Sequence, residues 1–382
     1  MSSTVQNSLR VAAEPLLGPD EIASLGGGGI VENFVHYAGY SSAGTVLFWA
    51  KAYTGDRLAA AVPVVRLVRR KATDMLRAPL RRWLGPTLGP LAKKTTLLVD
   101  TAFLAYDDRS PFLTVAGVDR STAKRALSDF LKSQRKVDTV WISEPPEEAA
   151  WAADQGYVQF HTLPMVQVDV GDCRSLDDYA ARLSKKRRRN FRHDRDTFAA
   201  AGATIETHRG PLADSPQLLE QLLACLAASA AHSQLTVPYN DVLTDPRAFA
   251  AQRQTVLVAR DGKRVVGFMS FLQDGDRLMQ CHGGLDYQRS HELLAYHNLI
   301  YAAVEHAINA GCRMLSMGPL NNETKRRAGG VLRPIVSSLW NRNPIDALVA
   351  RKLFVKNFDV YRGEVGAAAS ECSTGGDSDR DA

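Results

Sequence analysis

Side chains of Met165-Val-Gln-Val-Asp-Val170 alternate between apolar and polar, the period of two expected of a strand with one buried face. Apolar stretches at Thr45–Ala52 and Leu58–Leu67, joined by a Tyr53-Thr-Gly-Asp56 turn, predict a hairpin. The first half continues with strands at Leu97–Ala105 and Pro111–Val115, a helix at Ser121–Lys132, a buried strand at Asp138–Ile142 and a short helix at Glu147–Asp154. The second half repeats this order. A strand at Thr204–Thr207 and a helix at Pro216–Ala230 lead into a hairpin, Thr255–Arg260 with Arg264–Leu272, turning at Asp261-Gly262. Arg277–Cys281 then adds a strand, and Leu293, Tyr296, Ile300, Val304 and Ala307 share one face of a helix from Glu292 to Asn309 that stops at Gly311. Short strands at Arg313–Met317 and Val336–Trp340 follow. A meander, a helix and a further strand, occurring twice, predict an α+β protein of two similar domains with a boundary near Gly171. The domains are then 1–171 and 172–365, and the Ala-, Ser-, Gly- and Asp-rich tail 366–382 is expected to be disordered.

One segment breaks the pattern. Ser175, with Asp177 and Asp178 behind it, opens a predicted helix that Gly202 closes. Leu176, Tyr179, Leu183, Phe191 and Phe198 form its apolar stripe, with Lys185, Arg188, Arg189, Arg192 and Arg195 opposite. Arg187, Asn190 and Asp194 fall on the apolar side, where an arginine needs a partner or ligand to offset its desolvation. A solvated cationic face is the competing reading, with Arg187 and Asp194 satisfying each other.

Composition sharpens this. The 382 residues, 45% hydrophobic and 23% charged, suit a soluble globular protein of two domains. Positions 185–195 hold seven basic residues and one acid, a charge equal to the net +6 of the whole chain, so the excess points to a local polyanion site. Five scattered cysteines, Cys173, Cys225, Cys281, Cys312 and Cys372, have no paired spacing and predict neither disulfide framework nor zinc site. His291-Glu292 with His297 lacks the four-residue repeat of a helical metal site, and no metal is expected. Gly26–Gly29 is an introductory segment, since no Lys-Ser/Thr follows it. Leu58–Val68 is too short to span a bilayer, no signal peptide is visible, and a cytoplasmic location is the expectation. The basic and apolar segment 66–82 offers a peripheral membrane contact.

Three stretches carry a family resemblance: Leu183-Ser-Lys-Lys-Arg-Arg-Arg-Asn-Phe-Arg192, His282-Gly-Gly-Leu-Asp-Tyr287, and Gly318-Pro-Leu-Asn-Asn-Glu-Thr-Lys325 with Gly330 and Pro334. With the order of elements, they resemble a tandem GNAT acyltransferase, and the second half resembles the Fem-type aminoacyl/peptidyl transferases and the GNAT-like acyltransferases associated with cellulose and exopolysaccharide. The pairs Gly85-Pro86 and Gly89-Pro90 resemble a feature of the Fem-type first domain. The resemblance implies two tandem GNAT-like domains, each a mostly antiparallel sheet flanked by helices. It implies transfer of an acyl or aminoacyl group from acyl-CoA or aminoacyl-tRNA to an amino group of a small molecule or cell-envelope precursor, with no tightly bound cofactor. The chain departs from acetyl-CoA-using GNAT enzymes at Tyr287–Leu294, where their glycine-bearing pyrophosphate turn has no counterpart.

Such a transfer needs a base, an oxyanion donor and cations for a phosphorylated carrier. Asp286 and His282, ahead of the long helix, are candidate bases, each with a plain structural alternative as turn residue or core histidine. Tyr287 is a candidate donor to the oxyanion or leaving group. Lys325 sits in a Gly/Pro/Asn loop after a buried strand, where the resemblance places a lysine of the Fem-type pattern; a solvated lysine beside Arg326 and Arg327 is the alternative. Lys185, Arg187, Arg188 and Arg192 are the phosphate-binding candidates, with tRNA as the candidate macromolecular partner. The second functional reading is a non-enzymatic RNA- or anionic-membrane-binding protein using the same basic helix.

Overall fold

The hairpin expected from the first apolar stretches forms, and its second strand runs on past Leu67 to Lys71. The structure is a computed structural model that describes residues 9–26, 31, 45–71, 93–99, 108–232, 245–319 and 321–352. Most of 66–82, both Gly-Pro pairs and the tail from 366 lie outside these residues. In chain order the first elements are β1 (Arg10–Glu14), α1 (Pro19–Ser24), β2 (Thr45–Thr54), β3 (Arg57–Lys71), β4 (Lys93–Val99), β5 (Leu113–Thr114), α2 (Arg120–Ser133), β6 (Thr139–Glu144), α3 (Pro146–Ala149), α4 (Trp151–Asp154) and β7 (Val158–His161). There follow β8 (Met165–Asp169), α5 (Leu176–Arg182), α6 (Lys185–Ala200), β9 (Thr204–Arg209), α7 (Pro216–His232), α8 (Pro246–Ala251), β10 (Thr255–Asp261), β11 (Arg264–Asp274) and β12 (Arg277–Leu285). The chain continues through α9 (Ala295–Asn309), β13 (Met314–Ser316), α10 (Asn322–Arg327), β14 (Val331–Arg333), β15 (Val336–Asn341) and α11 (Pro344–Ala350).

Two sheets result. The first runs β1-β2-β3-β4-β6-β15-β7 with β5 on β3, the second β14-β8-β13-β12-β11-β10-β9. Each contains one parallel pair, β4 with β6 and β12 with β13, among antiparallel neighbours. Strand membership crosses the boundary expected at Gly171 in both directions: β8 precedes it yet lies in the second sheet, and β15 returns to the first sheet between β6 and β7. The fold is α+β, two helix-flanked sheets of tandem GNAT-like form, interlocked by this exchange.

Burial explains the layers. Val166, Val168, Leu278 and Leu315 turn one face of the second sheet onto Leu176, Tyr179, Phe191, Leu299 and Val304 of α5, α6 and α9. On its other face, Val256, Val258 and Phe268 pack on Leu218 and Leu222 of α7, and Leu272, Met279 and Cys281 share a core with Trp49, Val65 and Leu67 of the first sheet. At roughly 25 cal/mol per Å² of apolar area removed from water, such shared burial is the main force holding the sheets together. The strand β12 carries Gly284 where a Cβ would lie 2.6 Å from the α7 backbone at Cys225 and Leu226, so the helix sits directly on the strand.

The single helix expected from Ser175 to Gly202 is two helices. Leu183 and Ser184 are extended, with ψ of 147° and 156°, because Leu183 turns into the core and Ser184 recaps the chain at the Arg187 N–H. The long helix starts at Ala295 rather than Glu292, since the preceding turn ends in a left-handed Leu294. Replacing Gly284 by alanine should destabilise the fold by about 1–3 kcal/mol through overpacking against α7, measured by chemical denaturation; unchanged stability would contradict the close packing.

Candidate functional site

Parallel strands β12 and β13 pair only from Arg277 to Met279 with Met314 to Ser316. Beyond that, β12 runs on to Leu285 while β13 stops, so their carboxyl ends part, the position where open α/β sheets hold ligands. Lys325 lies just past the end of β13, on the side of β8, whose Val166 N–H shares the Gly318 carbonyl with it. It belongs to α10, not to a loop, and is 2% exposed, so the solvated alternative is excluded. Its Nζ donates to Met317 O and, at 3.1 Å, to Gly318 O. Burial pushes its pKa down to about 7.

Around this amine the structure gathers α5, α6 and α9. Tyr179 of α5 donates its hydroxyl to Ala328 O, just past Lys325. Gly329, at φ +104°, is required there, because a Cβ would meet that hydroxyl at 2.3 Å. Burial raises the Tyr179 pKa, Cys173 adds to the rise, and the charge of Arg187 on α6 pulls against both. The stripe residues Leu176, Tyr179, Leu183, Phe191 and Phe198 are all buried as expected, and Leu183 lies against Gly329, which sets the start of α6 beside the Lys325 segment.

Arg187 and Asp194 do not pair among the described residues. Asp194, 5% exposed, instead accepts the Tyr301 hydroxyl at 2.9 Å, and its backbone carbonyl accepts Asn298 Nδ2 at 3.0 Å. Tyr301 has its pKa raised by burial and then by the Asp194 charge. His297, one turn earlier on α9, is held low by burial, against the pull of Asp194 and with Arg327 and His291 adding to the fall. Its buried Nε2 has no partner among the described residues, nor has Asn322 Oδ1 at the start of α10. Tyr296, also on α9, is bonded to Asn321 and has its pKa raised by burial.

Cations crowd the wrong end of α6. Its first turn is Lys185, Lys186 and Arg187 with no acid, at the positive end of the helix dipole, which disfavours cations and favours a bound anion. Arg187 and Arg188 are half-buried, and Lys185 and Arg192 are exposed.

The other candidates lie elsewhere. His282 is a buried core residue on the opposite face of the second sheet, edge-on to Phe249 at 5.0 Å and beside Ser270, because the β12 bulge at Cys281 turns it there. Asp286 is tied up in its turn, bonded to Arg264 Nε at 2.6 Å and to the Gln288 N–H at 3.1 Å. Tyr287 is 39% exposed and stacks on His232 of α7 at 4.0 Å. A cavity of about 520 Å³ lined by Asp108, Arg109, Arg120, Asp274 and Arg277 lies between the sheets, at the amino end of β12 and away from Lys325.

The turn between β12 and α9 bears on the donor. The amides of Asp286, Arg289, Ser290, Leu293, Leu294 and Ala295 all donate to backbone carbonyls of β11 and of the turn itself, and no glycine opens the turn.

A family model described as FemAB-like, peptidoglycan biosynthesis/recognition, matches residues 117–351, more than half of the chain and all of the cluster. The chain belongs to the FemAB-like family. No curated protein matches its sequence. Among solved structures, L-PGS from Bacillus licheniformis superposes with a TM-score of 0.54 at 14% identity, over 89% of this chain and 97% of that one. FemX superposes with a TM-score of 0.50 at 9% identity, over 80% and 90%. A tandem GNAT protein from the clavulanic acid biosynthesis pathway gives 0.47 at 13% identity, over 88% and 99%. At these identities the likeness is one of fold. Family and fold together support an acyl- or aminoacyl-transferase in general terms. No helix among the described residues is long and apolar enough to cross a membrane.

In this FemAB-like protein, Tyr301 and Asn298 escaped the sequence reading because each looked like a polar residue on a helix surface, while His297 was weighed only as a metal ligand and Asn322 only as part of the loop motif. Only the misplaced Asp194 signalled that α9 would supply partners. Lys325 gives the site a measurable signature. An unfolded lysine keeps its proton up to about pH 10 while the native one sheds it near 7, so the unfolded state binds more protons between those values and native stability rises with pH there, by up to about 1.4 kcal/mol per pH unit. Lys325→Met should flatten this slope in melting-temperature profiles; an unchanged slope would place the titration elsewhere.

Proposed function

We propose that the protein moves an aminoacyl group from aminoacyl-tRNA to an amino group, with Lys325 as the proton carrier. The observation behind this reading is the buried Lys325 amine in a segment whose Gly329 packs against Leu183, just ahead of the cationic first turn of α6. Lys185, Arg187, Arg188 and Arg192 hold the phosphates of the carrier, Arg through forked donors. The internally bonded turn ahead of α9 argues against acyl-CoA and for a carrier gripped mainly by side chains.

The chemistry follows from the lysine's bonds. Neutral Lys325 gives its two N–H groups to Met317 O and Gly318 O and keeps a lone pair. As the acceptor amine attacks the ester carbon, a C–N bond forms and the lone pair takes the amine's proton. The ammonium then has a third N–H for the oxyanion and passes that proton to the departing ribose oxygen as the C–O bond breaks. A pKa of about 7 suits both directions at neutral pH. The acceptor is a small molecule or cell-envelope precursor bearing a free amine, in keeping with the family's description.

Lys325→Ala should lower turnover by about a hundredfold or more with little change in donor affinity, and the wild-type rate should rise with pH to a plateau above about 7. Arg187→Ala should chiefly raise KM for aminoacyl-tRNA. Full activity of Lys325→Ala, or activity with acyl-CoA alone, would overturn the assignment.

A further inference from the structure

A second cationic region lies at one end of the first sheet, remote in the chain from α6. Register pairs Arg70 with Lys94 and Lys71 with Lys93 at the far end of β3 and β4. Lys94 Nζ is bonded to Asp346 of α11, so α11 lies against the same end. Arg342, just before α11, donates to Val137 O at 2.8 Å, Gln134 O at 2.9 Å and Lys132 O at 3.0 Å, which draws the turn after α2 to this end as well. Arg135, Lys136, Arg342, Arg351 and Lys352 are exposed here. The nearby acids are engaged: Asp346 by Lys94, Asp138 by the Thr95 N–H at 2.8 Å, and Asp129 by Lys132 at 3.0 Å.

Among these cations stand two bare aliphatic side chains. Ile345 is 68% exposed and Leu348 56%, the two most exposed large hydrophobics of the described residues. Three positions apart on α11, they share one helix face. Exposed aliphatic residues at an end of the sheet that also exposes Lys and Arg fit an anionic lipid surface, the apolar tips entering the acyl boundary and the cations meeting the headgroups. A nucleic acid would be met by aromatic stacking platforms, which the exposed hydrophobics of this end do not supply.

We propose that this end of the first sheet docks the protein on an anionic membrane surface, with Ile345 and Leu348 as the inserting residues. The surface is independent of the transfer chemistry and of the basic helix.

The test is co-sedimentation of the full chain with phosphatidylcholine vesicles, with and without phosphatidylglycerol. The wild type should bind only the anionic vesicles, more weakly as salt is raised. Ile345→Asp with Leu348→Asp should lower partitioning by at least about tenfold with an unchanged melting temperature, whereas Arg192→Glu on α6 should leave it within about twofold. Arg135→Glu with Arg351→Glu, a second surface variant, should show a similar loss should the first one fold poorly. Absence of wild-type binding, retention by both surface variants, equal binding to uncharged vesicles, or a dimer in solution that the first variant splits would each overturn the proposal. Competition by tRNA that the first variant does not alter would reassign the cations to nucleic acid.

Discussion

An amine held out of water against two carbonyl oxygens is the constraint on which the rest of the site depends. Burying an ammonium without a carboxylate partner is costly, so the protein keeps Lys325 close to neutrality instead. Its position is fixed from several directions. Gly318 O also accepts the Val166 N–H at 3.2 Å, and the N–H of Gly330 bonds back to Lys325 O at 2.9 Å. Tyr179 closes the far side through Ala328. A lysine so enclosed has little rotamer freedom left, which is the precondition for moving a proton at a defined atom.

A second buried ionisable group sets the helices around it. Asp194 joins α6 to α9 through Tyr301 and Asn298, with Phe191 edge-on to Tyr301 at 4.7 Å. Because α6 is fixed from behind in this way, its overcharged first turn is held beside the Lys325 segment despite the unfavourable dipole. Under the proposed function, the like charges at that helix end are relieved by the arrival of the anionic carrier.

Much of the fold was legible because strand and helix periods survive tertiary packing. The hairpins at β2/β3 and β10/β11, the long helix and the apolar stripe of α5 and α6 follow directly from it. The exchange of β8 and β15 between sheets was not, since a strand's pattern says which face is buried and nothing about its neighbour. The Leu183–Ser184 break was hidden because both halves keep one face buried and Ser184 reads equally well as a helical serine. At the site, the basic run and Lys325 stood out by charge and by family pattern. His282 and Asp286 were misplaced because a bulge at Cys281 turns the one to the other face and Arg264 engages the other. The cooperating residues of α9 were illegible, as their partners lie about a hundred residues away: the Tyr301–Asp194 contact spans 107 positions.

Everything proposed for the site requires Lys325 to be a buried amine that titrates near neutrality. The most direct measurement is an NMR titration of the native protein carrying labelled lysine side chains, with Lys325→Arg used to assign the resonance. A midpoint near pH 7 is the expected result. A midpoint near the ordinary lysine value of 10.5 would show a solvated or ion-paired ammonium and contradict the account.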